Sequence, residues 1–308
     1  MLRWIIKSAL STAMIEVMDM LLMKRLFHRP LEANKYDFGH VLIFGGSSGM
    51  VGAPLLAGKA ALRIGTGLVT IASDKETAVS LDRRVEEIMT LALPSYTKTE
   101  EIVEYLTAFT AVRKVSAAII GPGLKTQAAP LVRLLAGRLR LPLVLDAGGL
   151  VAFQSHLPEL QAVTRQNKAV VITPHSGEYA ELSGTTTTNI AEIRKQAAQF
   201  AKSYNLTLVL KGHHSLVAHP DGATWQNDSG NPGMATAGTG DVLSGIIAGL
   251  LAQGIEPTQA VEFGVYVHGL AGDIAVKAKT EAGLIASDVI EFLPGALKEL
   301  GNRTKHNN

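Results

Sequence analysis

The strongest chemical signal in the chain is the stretch Asn231-Pro-Gly-Met-Ala-Thr-Ala-Gly-Thr-Gly-Asp241. Gly238 and Gly240 on either side of Thr239 let the backbone close on an anion. The residues that follow read as a helix whose first amides need partners and whose dipole favours phosphate. Asp241 conflicts with that site, because a carboxylate repels bound phosphate. It either caps the helix or acts as a base beside a phosphoryl group in transfer, and the surrounding glycines favour the second role. No Gly-Lys-Ser/Thr follows, so this is not a P-loop, and no Gly-x-Gly-x-x-Gly opens a first βα unit.

Positioning such a site requires a buried scaffold. Val242, Leu243, Ile246, Ile247, Leu250 and Leu251 recur at helical spacing, with Ser244, Gly245, Ala248 and Gly249 on the other side. A helix of that kind is buried on both faces. Upstream, short apolar runs alternate with helical stretches. Strands are expected at His40–Gly46, Gly67–Ala72, Ala117–Ile120, Pro142–Leu145, Ala169–Ile172 and Leu206–Leu210. Helices are expected at Ala53–Ile64, Glu100–Phe109, Ala128–Arg138 and Ala191–Tyr204. This pattern predicts a mostly parallel α/β sheet covered on both faces. Pro220-Asp221-Gly222 between Ser215–Ala218 and Ala223–Gln226 signals a hairpin, hence an antiparallel edge. Ligands of open α/β sheets bind beyond the carboxyl ends of the strands. Gly45-Gly46-Ser47, Gly121-Pro122-Gly123, Asp146, His175 and Lys211-Gly212 all fall there, which predicts one long cleft.

Bulk composition narrows the function classes. With 308 residues, 47% hydrophobic and 18% charged, the chain can bury a large core. A net charge of +2 and 5% aromatics argue against nucleic acid as a partner. Cysteine is absent, which removes disulfides and thiolate chemistry. No apolar run is long enough to span a bilayer. Lys7, Glu16, Asp19, Lys24 and Arg25 interrupt the apolar first segment, which therefore reads as a helix rather than a signal peptide. A cytoplasmic protein is expected, with an N-terminal helical extension over residues 1–26, a single domain over 27–300 and a frayed tail over 301–308. Met14, Met18, Leu21 and Leu22 form one apolar face that either mediates a homo-oligomer or packs on the chain's own domain.

The Gly238-Thr-Gly-Asp241 segment resembles the nucleotide anion hole of the ribokinase-like superfamily. Within it, Gly45–Pro54, Ala60–Val69, Gly121-Pro-Gly123, Thr173-Pro-His-Ser-Gly-Glu178, Lys211-Gly212 and Asn231–Gly249 together resemble the ADP-dependent (S)-NAD(P)H-hydrate dehydratases in their stand-alone bacterial form. The resemblance runs from about residue 35 to 295. It implies a three-layer α/β/α sandwich and a repair reaction. The hydroxyl of hydrated NADH or NADPH is phosphorylated by ADP, then eliminated as phosphate, leaving AMP; eukaryotic members use ATP.

Carried over by that resemblance, Ala53, Gly123, His175 and Asp241 contact the hydrate, with Asp241 as the catalytic base. Lys211, Gly212, His213, His214, Ser215 and Gly240 contact the nucleotide, joining Gly238 and Thr239 of the anion hole. Taken without the resemblance, Ala53 reads as helix packing, His175 as a hydrogen-bonded strand end and Lys211 as a solvated lysine. Glu178 stands where superfamily sugar kinases keep a glutamate associated with Mg²⁺, so it is a candidate residue near that cofactor, outside direct coordination. Its alternative is a charge at a helix N-terminus. The family's Asp-Ala-Asp reads Asp146-Ala147-Gly148 here, so a second acid is missing. About 35 residues precede the matching stretch, too few for the epimerase domain of bifunctional relatives. A separate epimerase and a homo-oligomer, possibly a tetramer, are therefore expected partners. The competing readings are a ribokinase-like kinase for a vitamin precursor or sugar, and a nucleotide sensor without turnover.

Overall fold

The computed structural model describes residues 20–94 and 98–306. Among them, β1 (His40–Phe44), β2 (Leu68–Ser73), β3 (Met89–Ala92), β4 (Ala117–Ile120), β5 (Leu143–Leu145), β6 (Val170–Ile172), β7 (Thr207–Leu210), β8 (Leu216–Ala218) and β9 (Thr224–Gln226) form one sheet. Its order is β3-β2-β1-β4-β5-β6-β7-β8-β9. Strands β1 to β7 run parallel, while β8 and β9 are antiparallel, as the hairpin signal predicts. The strands are short and continuously apolar because helices cover both faces.

The helices are α1 (Met20–Phe27), α2 (Gly52–Arg63), α3 (Lys75–Asp82), α4 (Thr99–Val112), α5 (Ala129–Arg138), α6 (Gly148–Val151), α7 (Leu157–Gln166), α8 (Ser176–Ser183), α9 (Ile190–Tyr204), α10 (Thr239–Ala252), α11 (Pro257–Lys279) and α12 (Ala286–His306). Successive strand residues point to opposite faces. Val41, Ile43, Ile71, Ile119, Val144 and Val209 join one core with α2, α10, α11 and α12. Leu42, Phe44, Ile120, Leu145, Ile172 and Leu208 join a second core with α4, α5, α7, α8 and α9. The result is a three-layer sandwich.

The small face of α10 packs on α2. A Cβ on Gly245 would sit 2.1 Å from the Ala57 carbonyl oxygen, and one on Gly249 would sit 2.5 Å from Ile64 Cγ2. Only glycine allows this approach, so the position of the α10 N-terminus is set by backbone against backbone.

The structure differs from expectation at the two ends of the chain. Leu22 is 1% exposed and belongs to the same core as Leu300, so α1 packs on its own domain rather than standing apart as an extension. Met14 and Met18 lie outside the described residues, as does the side chain of Leu21. At the other end, α12 continues through Asn302 to His306, where a frayed tail was expected. Among the described residues, no helix is long and apolar enough to cross a membrane.

Candidate active site

The strand order reverses between β1 and β4, the switch point at which α/β sheets bind ligands. There the two glycine-rich turns are fastened together. Gly46 N–H donates to the Pro122 carbonyl (2.8 Å), and Ser47 Oγ donates to the Gly123 carbonyl (2.7 Å). Gly123 has φ +71°, and a Cβ on it would lie 2.4 Å from the Met50 carbonyl oxygen. Ala53 follows in the first turn of α2.

Farther along the sheet, Gly238 (φ +92°) is the N-cap of α10, and no side chain caps this helix. Asp241 sits at its third position. The helix-capping alternative for Asp241 therefore fails, and no side chain caps the first-turn amides. Thr239 Oγ1 turns back to the Met234 and Thr236 carbonyls, 3.0 Å from each, and so braces the turn.

Lys211, at the end of β7, reaches across to this turn. Its Nζ donates to Asp146 Oδ1 at 2.9 Å and lies 3.6 Å from Glu178 Oε2. It would be 3.2 Å from a Cβ on Gly240, so glycine at 240 leaves the ammonium its path. Burial works against the Lys211 charge, but Asp146, Glu178 and Asp241 outweigh it and hold its pKa above the ordinary lysine value. Asp241 responds oppositely. Burial, then the Asp146 charge, pushes its pKa up to about 7, with Glu178 adding to the rise and Lys211 opposing it. A carboxyl poised near neutrality is suited to exchanging a proton at working pH.

His175 is the N-cap of α8. Its Nδ1 accepts from the N–H groups of Gly177 (3.1 Å) and Glu178 (3.2 Å), while Glu178 Oε2 accepts from His175 N–H (2.8 Å). Both alternatives weighed for this pair are therefore realised, since His175 is hydrogen-bonded structurally and Glu178 stands in the first turn of a helix. The His175 side chain is nevertheless 60% exposed.

A cavity of about 510 Å³ opens beside the α10 N-terminus, within the range of small-molecule sites. Lys211–Ser215, Thr239 and Gly240, all expected to contact nucleotide, line it. Gly238 stands behind the turn, where a Cβ would strike Leu56. His213 and His214 lie against each other, ring centroids 3.9 Å apart and tilted by 40°. Gly46, Gly123 and His175 are not in its lining, so the single long cleft expected from the strand ends is not one cavity here.

The other lining residues come from Asn227–Pro232, Met234, Ala235, Leu243, Val265, His268 and Gly269. Sequence reading placed Asn231, Pro232, Met234 and Ala235 in the motif and Leu243 on its helix, and gave the rest no role. Asp273 of α11 holds this wall by accepting from Gly230 N–H and Asn231 Nδ2, both at 3.1 Å. Gly269 lets the wall approach, since a Cβ there would meet Ser229 Oγ at 2.2 Å. His268 is partly buried, and desolvation pushes its pKa down to about 4 against a backbone hydrogen bond with Thr239.

The missing second acid also has a local explanation. A Cβ at Gly148 would lie 2.7 Å from the Leu124 carbonyl oxygen, so this turn has no room for an aspartate.

Among the described residues, no three His, Asp or Glu side chains converge as a metal site. Mg²⁺ does not require such a cage, because it commonly binds through phosphate, water and one or two carboxylates. Glu178, beside Lys211, fits that mode.

The sheet order and the two flanking layers define a ribokinase-like α/β protein, with an uncapped helix N-terminus beside a cavity. The profile of the NAD(P)H-hydrate dehydratase family matches residues 41–294, and the chain belongs to that family. It is 40% identical over 286 residues to the bifunctional NAD(P)H-hydrate repair enzyme of Moorella thermoacetica, covering 90% of this chain and 52% of that one. The chain thus spans about half the length of that bifunctional relative. To the ADP-dependent (S)-NAD(P)H-hydrate dehydratase of Xanthomonas campestris it is 36% identical, over 88% of this chain and 93% of that one. The crystal structure of the ADP/ATP-dependent NAD(P)H-hydrate dehydratase from Bacillus subtilis, co-crystallised with ATP/Mg²⁺, superposes with a TM-score of 0.75 at 28% identity, covering 91% of this chain and 96% of that one.

Proposed function

We propose that this chain dehydrates the S-epimer of hydrated NADH and NADPH, using ADP as phosphoryl donor and releasing AMP and phosphate. The observation that carries the reading is the Asp241 carboxyl. It is held near neutrality on the first turn of an uncapped helix, beside Lys211 and next to a nucleotide-sized cavity.

In this reading the α10 amides and Lys211 hold the ADP phosphates. Lys211–Ser215 and the Asn227–Pro232 wall enclose the rest of the nucleotide. The hydrate lies toward Ala53, Gly123 and His175. Asp241 takes the proton from its hydroxyl as that oxygen attacks the terminal phosphorus of ADP, and AMP leaves. The amides that bound the phosphate also stabilise the charge that builds on it. In the second half the carbon–oxygen bond breaks, phosphate departs with the bonding pair, and the neighbouring ring carbon gives up a proton. Phosphorylation is what makes this elimination possible, since hydroxide is a poor leaving group and phosphate a good one.

Bound with the nucleotide, Mg²⁺ neutralises phosphate charge, and Glu178 is the residue we assign to its water shell. A cytoplasmic homo-oligomer served by a separate epimerase completes the reading.

The test is the absorbance of reduced nicotinamide on adding enzyme and Mg²⁺ to mixed hydrate epimers, with ADP or ATP supplied separately. A rise with ADP that stops partway is expected. No rise with either nucleotide, from folded protein that binds ADP, sinks the dehydratase and points to kinase chemistry on another substrate.

A further inference from the structure

We propose that Asp146 is a positioning residue of this site, holding the Lys211 ammonium at the anion hole and tying it, through Ser244, to the first turns of α10. The proposal rests on the nucleotide reading above.

Asp146 ends β5 and is 2% exposed. A carboxylate this deep is costly unless it is fully paired. Its Oδ1 accepts from Lys211 Nζ (2.9 Å) and from Ala147 N–H (3.0 Å), and its Oδ2 accepts from Ser244 Oγ (2.6 Å). The turn that presents it is built at a cost. Ala147 adopts φ +46°, ψ −117°, a region strained for a non-glycine residue. Gly121, at φ +129°, has no room for a Cβ, which would fall 1.8 Å from the Asp146 carbonyl oxygen.

The two side-chain partners are what make Asp146 functional rather than only structural. Lys211 lines the nucleotide cavity. Ser244 is three residues after Asp241 and so on the same side of α10. One buried carboxylate thereby fixes the distance between the candidate phosphate-binding ammonium and the helix that carries the candidate base. The charged groups that face Asp241 are Asp146 from the end of β5, Lys211 from the end of β7 and Glu178 from α8. Asp146 is the strongest repelling charge among them, so it also sets how readily Asp241 keeps a proton.

Asp146→Asn tests this. The amide oxygen still accepts from Lys211, and the Ser244 hydroxyl can turn to the Gly240 carbonyl, 3.1 Å away, so the fold has a way to accommodate the change. Removing the charge frees Lys211 without removing it. We therefore expect ADP affinity, measured by calorimetry, to hold or tighten while kcat falls by roughly 10-fold or more through lost alignment. The acid limb of the kcat/KM profile moves down by about one pH unit, as the repelling charge is gone. Carbon-13 NMR of labelled aspartates reads the same displacement for Asp241 without turnover, so a failure of the dehydratase reading remains distinguishable from a failure of this one. Ser244→Ala should lower kcat in the same direction without moving the limb. The proposal is overturned if Asp146→Asn leaves kcat within twofold of the parent, or if Asp241 titrates at the same pH in both proteins.

Discussion

Replacing Asp241 by Asn should inactivate the protein and make it more stable. The ordinary aspartate value is 3.8, and the fold raises Asp241 to about 7. Between those values the folded chain holds a proton that the unfolded chain has released, so stability falls as pH rises through this window and then levels off. Below about pH 4 both states are protonated and the penalty is absent. At about 1.4 kcal/mol per tenfold change in proton affinity, the full penalty above pH 7 is about 4 kcal/mol. Asparagine has the shape of the protonated acid and never ionises, so the variant escapes that penalty. Urea unfolding at pH 4, 6 and 8 should show near-equal stabilities at pH 4 and a gap opening to about 2–4 kcal/mol at pH 8. That gap corresponds to a rise in melting temperature of roughly 5–15 °C. A gap that is constant across pH, or a variant less stable at pH 8, would refute the claim that burial and Asp146 hold this carboxyl near neutrality. The same variant separates enzyme from sensor, since a sensor keeps its only activity, nucleotide binding.

Gly240→Ala should retain or improve stability, by up to about 1 kcal/mol from helix propensity, because residue 240 is helical and its Cβ meets only the flexible Lys211 tip. Its KM for ADP should nevertheless rise about 10-fold or more as Lys211 is displaced, and an unchanged KM argues against the ammonium's assigned path. For His268, with its pKa lowered to about 4, the stabilising contribution is present above the ordinary value of 6.5 and is lost as pH falls through 4. His268→Phe should therefore lose about 2–3 kcal/mol less than the parent between pH 7 and 4.5. Parallel losses in urea titrations would count against that assignment.

The parts of the fold legible in the sequence were those whose pattern is local. Buried parallel strands such as His40–Phe44 and Ala117–Ile120 read as continuous apolar runs, and the β8–β9 hairpin announced its turn. The edge unit of α3 and β3 did not, since a four-residue, partly exposed strand has no such run. Helix α11 escaped notice because Gly264, Gly269 and Gly272 look like breakers until the close approaches they permit are known. Pro294 had the same effect within α12. At the site, glycines and charges of the anion hole were visible as a motif. The Asn227–Gly230 part of the wall was not, since it joins Lys211 in lining the cavity only after α11 folds back. Glycine pairs within an otherwise helical apolar stretch were the signal available for finding it.

The cap on α8 has a consequence for the chemistry of His175. Two backbone amides donate to Nδ1, so that nitrogen must present a lone pair and the ring proton resides on Nε2. The tautomer is thus chosen by a helix terminus that need not touch any ligand. Toward a bound molecule His175 can then only give a hydrogen bond, as a fixed donor on an exposed edge. In the reaction proposed above, proton removal is then left to Asp241.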